Sequence, residues 1–184
     1  AMINDWRKKW GKDFPFYWVQ LANYMDAVEV PSESLWAQVR EAQTQTLSLP
    51  HTGQAVIIDI GEAKDIHPKN KQEVGRRLAL HAFHNDYGFS DVVCESPMPK
   101  TVRRVQDKIV VQFDNVADGL IVKNKYGYLM SFAVAGTDGV YKWVQAKVAG
   151  KDRVVLSCPD VIDPVSVRYA WGDNPDDANL YNSV

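Results

Sequence analysis

Cysteine is scarce in this chain. Its two residues, Cys94 and Cys158, stand far apart, so neither a Cys-x-x-Cys zinc arrangement nor a thioredoxin-type motif is available. A single disulfide between them remains open in an oxidising compartment, and the alternating pattern around Cys158 equally suits a buried free thiol. Long apolar runs are missing too, none approaching the roughly 20 residues that a spanning helix needs. Charge of one sign is also lacking. A net charge of -2 gives no electrostatic case for nucleic acid or for an anionic membrane. Glycine is too dispersed to cradle a phosphate, since Gly61 and Gly75 stand alone, and no cofactor is expected. Ala1-Met2 does not open a secretory signal, and an internal start is expected there.

What remains is an ordinary globular composition, 46% hydrophobic and 24% charged. A length of 184 residues suffices for one ample domain or two small ones. The most informative stretch runs from Ala55 to Pro68. Its first six residues, Ala55 to Ile60, are β-branched and almost wholly apolar, as expected of a strand covered on both faces of a parallel sheet. Gly61 ends it, and the following loop carries Asp65 and His67. Catalytic groups in open α/β sheets collect beyond the carboxyl ends of strands. A carboxylate near an imidazole fixes its tautomer and stabilises its charged form, which is the helper half of a nucleophilic triad. The competing reading is a solvated surface pair.

Helical and strand patterns alternate through the first half. Trp6 and Trp10, at i and i+4, predict an amphipathic helix over 3–10 whose tryptophans pack. A strand is expected over 15–22. Pro31 and Ser32 then open a helix with Leu35, Trp36, Val39 and Ala42 along one face. The second strand, 55–60, leads into the Asp65–His67 loop. Asn70 and Glu73 stand three apart, as in a capping box, and start a helix reaching about Asn85. Such alternation predicts a parallel α/β sheet. Beyond Gly88 strand-like runs appear at 108–113, 119–124, 128–135, 140–148, 153–158 and 165–171, punctuated by pairs such as Asp118-Gly119 and Asp138-Gly139. They predict an all-β sandwich or jelly-roll domain. The division falls near 88–91, giving an α/β domain over 1–88 and a β-sandwich over 89–184.

The segment Asp65-Ile66-His67-Pro68 through Leu78-Ala79 resembles the last motif of the sialate O-acetylesterase group of SGNH hydrolases. Asp5-Trp6-Arg7, Pro15 to Ala22, Trp36 to Gln43, Val167 to Trp171 and Ala178 to Asn182 resemble the same family, so the likeness touches both ends and the middle. It implies a flavodoxin-like SGNH sheet and an enzyme that removes acetyl groups from sugar hydroxyls through a serine nucleophile. His67 would be the general base and Asp65 its orienting acid. Many family members place the acid three residues before the histidine, where this chain has Lys64; Asp59 is the alternative acid. The family's nucleophile sits in a Gly-Asp-Ser or Gly-Gln-Ser setting, and none of the nine serines here has one. The chain is therefore expected to be the C-terminal portion of a larger esterase, with an upstream hydrolase segment as its partner and an acetylated sugar as its substrate. The family works outside the cytosol, which implies an extracytoplasmic location. A partial sheet also exposes an edge, so self-association is expected.

Other constellations carry less. His81 and His84, at i and i+3, lack acidic or cysteine partners at matching spacing, and a surface or core role outweighs metal binding. Asp173, Asp176 and Asp177 with Asn174 lack the calcium-loop pattern and read as a solvated turn. Trp171 and Tyr181 fill a core or domain interface, or else line a sugar cleft. The alternative to an esterase is a non-catalytic carbohydrate-binding or scaffolding fragment with the sandwich as its working unit.

Overall fold

The computed structural model describes residues 2–184. The first helix, α1 (Met2–Trp10), buries Ile3 and Arg7. Arg7 ties it down, donating from Nε to the Phe14 carbonyl and from Nη2 to the His51 carbonyl at 3.0 and 2.9 Å. The two tryptophans lean on Phe16 and Phe14, but Trp10 stays 71% exposed, so the buried stripe is not the aromatic one.

Two strands, β1 (Phe16–Val19) and β2 (Thr52–Ala55), pair in parallel as the alternation predicts. The second strand is displaced from its expected place. The apolar run 56–60 lies outside it, because β1 leaves the ladder after Gln20, whose N–H donates to the Ala55 carbonyl as the last bond of the pair. A strand persists only while a neighbour offers partners. Residues 56–60 are therefore irregular, with Ile57 buried and the Val56 carbonyl taken by Arg77 at 2.7 Å.

Between the strands, α2 (Leu35–Gln45) begins at Ser34, whose hydroxyl accepts from the Ala37 N–H at 2.9 Å, and a 3-10 turn (Thr46–Ser48) follows it. Its expected apolar face is wrong. Leu35 and Val39 are 78% and 48% exposed, while Ala37 and Arg40 are buried. The helix turns Arg40 inward because backbone carbonyls of residues 170, 172 and 173 await it there. The third helix, α3 (Lys71–Asn85), starts as the capping spacing predicts, with Asn70 Oδ1 accepting from the Glu73 N–H at 3.1 Å. No helix among the described residues is long and apolar enough to cross a membrane.

The remainder is antiparallel. Strands β3 (Met98–Val105), β4 (Lys108–Asp114), β8 (Gln145–Ala149) and β9 (Arg153–Ser157) form a sheet in the order β3-β4-β9-β8. A second sheet has the order β10-β6-β7, from β6 (Phe132–Ala135), β7 (Tyr141–Trp143) and β10 (Ser166–Tyr169). A third pairs β5 (Leu120–Val122) with β11 (Leu180–Asn182). The run expected as one strand over 140–148 is two, which switch sheets at Val144. Ile109, Val111 and Phe113 of β4, Val154 and Leu156 of β9, and Phe132 and Val134 of β6 meet in one core. Cys158 belongs to it as a free thiol, its pKa raised by burial, and Cys94 is likewise free.

Two strands escape the sequence patterns. β3 reads Met-Pro-Lys-Thr-Val-Arg-Arg-Val and is mostly exposed. It is an edge strand with a bulge between Pro99 and Thr101, where proline costs no ladder bond. β11 has only three residues.

Candidate functional site

The loop after β2 is fixed at several points before it reaches Asp65 and His67. Gly61 donates its N–H to Asn23 Oδ1 at 2.7 Å, and a Cβ on Gly61 would collide with that oxygen and with the Asn23 carbonyl. Only glycine fits so close to another backbone. Met25 donates to the Ala63 carbonyl at 3.0 Å, and the Asp65 N–H turns back toward the Glu62 carbonyl. Lys69 closes the loop from the far side, pairing with Glu62 at 2.6 Å.

Within that frame Asp65 receives two bonds on one oxygen. The His67 N–H donates to Oδ1 at 2.9 Å, and His67 Nδ1 lies 3.2 Å from the same atom. The backbone N–H of His67 and then its ring hold the Asp65 carboxyl below the ordinary range. The carboxylate accepts a hydrogen bond from Nδ1–H, so Nε2 is left with its lone pair free. The His67 side chain is 80% exposed. The arrangement can orient an imidazole and stabilise it once protonated, and its Nε2 is open to a reacting hydroxyl.

Asp59 serves otherwise. Arg77 grips it through Nη1 and Nη2 at 2.6 and 2.9 Å, and the Tyr181 hydroxyl donates to it at 3.1 Å. Burial pushes the Asp59 carboxyl up, but the Arg77 bonds and charge outweigh it and hold the group below its usual value. The Arg77 guanidinium also binds Glu73 and the Val56 carbonyl. It thus rivets α3 to the chain leaving β2. Neither this clamp nor the Asn23–Gly61 contact was foreseen; an isolated glycine just after the apolar run was the available signal.

The other histidines face carbonyls. His81 Nε2 donates to the Gln54 carbonyl at 3.0 Å, and burial lowers its pKa, which keeps the ring neutral. His84 Nδ1 donates to the Val92 carbonyl at 2.7 Å. Among the described residues no group of three or more histidine, cysteine, aspartate or glutamate side chains is placed to hold a metal. Asp173 and Asp177 accept from Ser34 and Ser131, while Asp176 and Asp177 stay exposed, so the acidic segment is a solvated turn bonded into the fold at two points.

A cavity of about 930 Å³ lies between the helical part and the β region, with Arg40, Asp59, Arg77, Arg168, Trp171 and Tyr181 in its wall. Asp65 and His67 do not line it; they sit on open surface. Trp171 and Tyr181 are both engaged by cations. The Arg168 guanidinium lies 4.5 Å from the Trp171 ring centroid, and Lys123 lies 3.6 Å from that of Tyr181.

No protein-family model matches the chain. Sialate O-acetylesterases from Mus musculus and Homo sapiens are 28% and 27% identical over 92% and 93% of it. The chain is thus similar in sequence to sialate O-acetylesterases over most of its own length. It spans 35% and 36% of the length of those two relatives. The crystal structure of a carbohydrate acetylesterase from Xanthomonas citri matches 99% of the chain with a TM-score of 0.91 at 45% identity, and 42% of that protein is covered. The mixed architecture of a small parallel sheet with antiparallel sheets is thus shared with a carbohydrate esterase.

Proposed function

We propose that this chain is the base-bearing portion of an SGNH-type carbohydrate O-acetylesterase, acting with a serine nucleophile supplied by an upstream hydrolase segment. The observation that carries the proposal is the pairing of His67 Nδ1 with Asp65 Oδ1 at 3.2 Å on an exposed loop, which leaves Nε2 free. In the reaction, Nε2 takes the serine proton as the serine oxygen attacks the acetyl carbonyl. The imidazolium, offset by Asp65, then protonates the departing sugar hydroxyl, leaving an acetyl-enzyme. His67 next draws a proton from water as the water oxygen attacks the acetyl carbonyl, then returns that proton to the serine oxygen as its bond to the acetyl carbon breaks and acetate leaves. The oxyanion donors, a large electrostatic contribution, come from the same upstream segment.

The strand edges support a partner on one side. Phe16 and Gln20 of the β1 segment donate to the β2 segment, so Tyr17 and Val19 point their backbone groups the other way, where no strand of the described residues lies. The outer edge of β2 is instead met by His81 at the Gln54 carbonyl. One edge is covered and the other open. We assign the open edge to the upstream segment, and to self-association when that segment is absent. The partition into an SGNH portion over 1–88 and a sandwich or jelly roll over 89–184, the acetylated-sugar substrate and the extracytoplasmic location belong to the same proposal.

The test is hydrolysis of an aryl acetate by the chain alone and with the upstream segment restored. Restored activity that falls by about 10³-fold or more in His67→Ala is the expected result. Restored activity that survives His67→Ala removes the base assignment. Sugar binding with no recovered hydrolysis favours a binding fragment.

A further inference from the structure

Between the loop bearing the dyad and the far end of the chain runs a line of buried amides. Asn23 and Asn174 are 6% and 7% exposed, although 151 residues separate them in sequence. Backbone groups at both ends settle how each amide is turned. The Gly61 N–H can only donate, so it faces Asn23 Oδ1 at 2.7 Å. Asn23 Nδ2 therefore points the other way and donates to Asn174 Oδ1 at 2.7 Å. Asn174 Nδ2 in turn donates to the Met25 carbonyl at 2.8 Å, an atom that can only accept. Reversing either amide would set like against like at two contacts.

Met25 closes the circuit. Its N–H holds the Ala63 carbonyl, and its backbone sits at φ 72°, a left-handed conformation that a side-chain-bearing residue adopts at a cost. Such a conformation persists where surrounding bonds over-determine it, and here both its N–H and its carbonyl are claimed. The strap that presents Asn174 is anchored in its own right. Arg40 donates to the carbonyls of Ala170, Gly172 and Asp173, Ser34 binds the Asp173 carboxylate, and Tyr24 donates to the Asp173 carbonyl.

We infer that Asn174, carried on the strap after β10, is a positioning residue for the dyad: through Asn23 and Met25 it sets the backbone at Gly61 and Ala63, and so the placement of Asp65 and His67. This deepens the base assignment above and rests on it for its catalytic meaning. It gives the β region a task at the dyad, because the strand order delivers one amide to the entry of the dyad's loop.

The test uses the 184-residue chain itself and reads two signals by nuclear magnetic resonance. The first is exchange of the Gly61 amide; the second is the pair of ring 15N shifts of His67, which report the Nδ1–H tautomer. Asn174→Leu removes both hydrogen bonds at similar volume, whereas Asn174→Asp keeps the acceptor for Asn23. In Asn174→Leu, Gly61 exchange rises roughly tenfold, the loss of about one net hydrogen bond, and the His67 shifts move toward a tautomer mixture. Asn174→Asp restores part of both signals. The Val154 and Leu156 amides, deep in the β core, serve as the reference for an intact fold, and Asn23→Ala gives the same loop signals should Asn174→Leu disturb them. Adding Asn174→Leu to Asn23→Ala changes Gly61 exchange little further, because the two act in series there, and removes in addition only the bond to the Met25 carbonyl. Unchanged Gly61 exchange in a folded Asn174→Leu chain overturns the inference, and so does an equal loss in Asn174→Leu and Asn174→Asp. Either result leaves the role of His67 standing. That role falls instead if the complemented esterase works without the imidazole.

Discussion

The two halves of the molecule are held together by different means. Among the described residues, fourteen of the nineteen buried apolar residues lie beyond residue 88, and the largest fully buried side chains, Phe132, Leu129, Leu156, Val134 and Val154, are all there. Before residue 88 the buried apolar set is only Ile3, Ala22, Ala37, Ala55 and Ile57, while seven of the ten buried polar residues are found there. The β region closes on its own apolar core. The α/β region is assembled through hydrogen bonds from Arg7, Gln20, Asn23, Ser34, Arg40, Gln54 and His81, several of them directed at other parts of the chain. Apolar burial is non-directional and supplies stability, whereas buried polar bonds are costly unless complete and specify geometry. The first kind of interior suits a support; the second suits a region that must hold a loop in one place.

The contrast is broken most strongly in the β core. Phe132 is 2% exposed and packs against Tyr169 with ring centroids 4.5 Å apart. Phe132→Ala empties the centre of that core and is expected to lower unfolding stability by about 3–5 kcal/mol. Chemical denaturation followed by tryptophan fluorescence measures it. A loss under about 1 kcal/mol would mean that the core collapses around the gap and that the distinction between the halves is overstated.

The polar half gives way at Arg40. Burial draws its guanidinium down to about 10, yet it stays charged at neutral pH and donates to carbonyls of the strap. Arg40→Met keeps most of the volume and removes the donors, orphaning carbonyls that no water can readily reach. The expected cost is about 2–3 kcal/mol. Hydrogen exchange separates this variant from the first: Arg40→Met frees the strap amides and Gly61 while those of β9 stay slow, whereas Phe132→Ala speeds β9 itself.

The β region was the more legible half in the sequence for the same reason. Val154, Leu156 and Cys158 alternate with polar neighbours because one face meets an apolar core, so period two is written in the residues. The strands that escaped, β3 and β11, are those with little apolar burial to record. In the α/β half the apolar pattern misled. Leu35 and Val39 face outward, Arg40 faces inward, and the apolar run 56–60 is not a strand, since each is decided by a partner distant in sequence. The capping pair at Asn70 and Glu73 was legible because it is local. Asp65 and His67 were found together because only Ile66 separates them; Asn23, Gly61 and Asn174 were not, because only the fold brings them into contact.

The smallest effect concerns pH, and it sharpens the comparison because the β core has no counterpart to it. Glu73 binds Arg76 through two bonds of 2.7 and 2.8 Å and Arg77 through one of 2.8 Å. The bonds from Arg76 come first in drawing its carboxyl down, and those from Arg77 add to them against a partial burial that pulls the other way, leaving it at about 2 instead of the ordinary 4.5. A carboxyl whose folded value lies below its unfolded one binds fewer protons when folded, so its contribution is complete above about 4.5 and lost as pH falls toward about 2. Asp59, also held low by Arg77, acts in the same direction. Acid titration of the wild-type chain should therefore loosen α3 and the dyad's loop before β4 and β9 respond. Glu73→Gln should flatten the early phase while leaving the β transition in place. A single coincident transition in both proteins would show that α3 and the β core unfold as one unit, and that the two kinds of interior do not differ in how they yield.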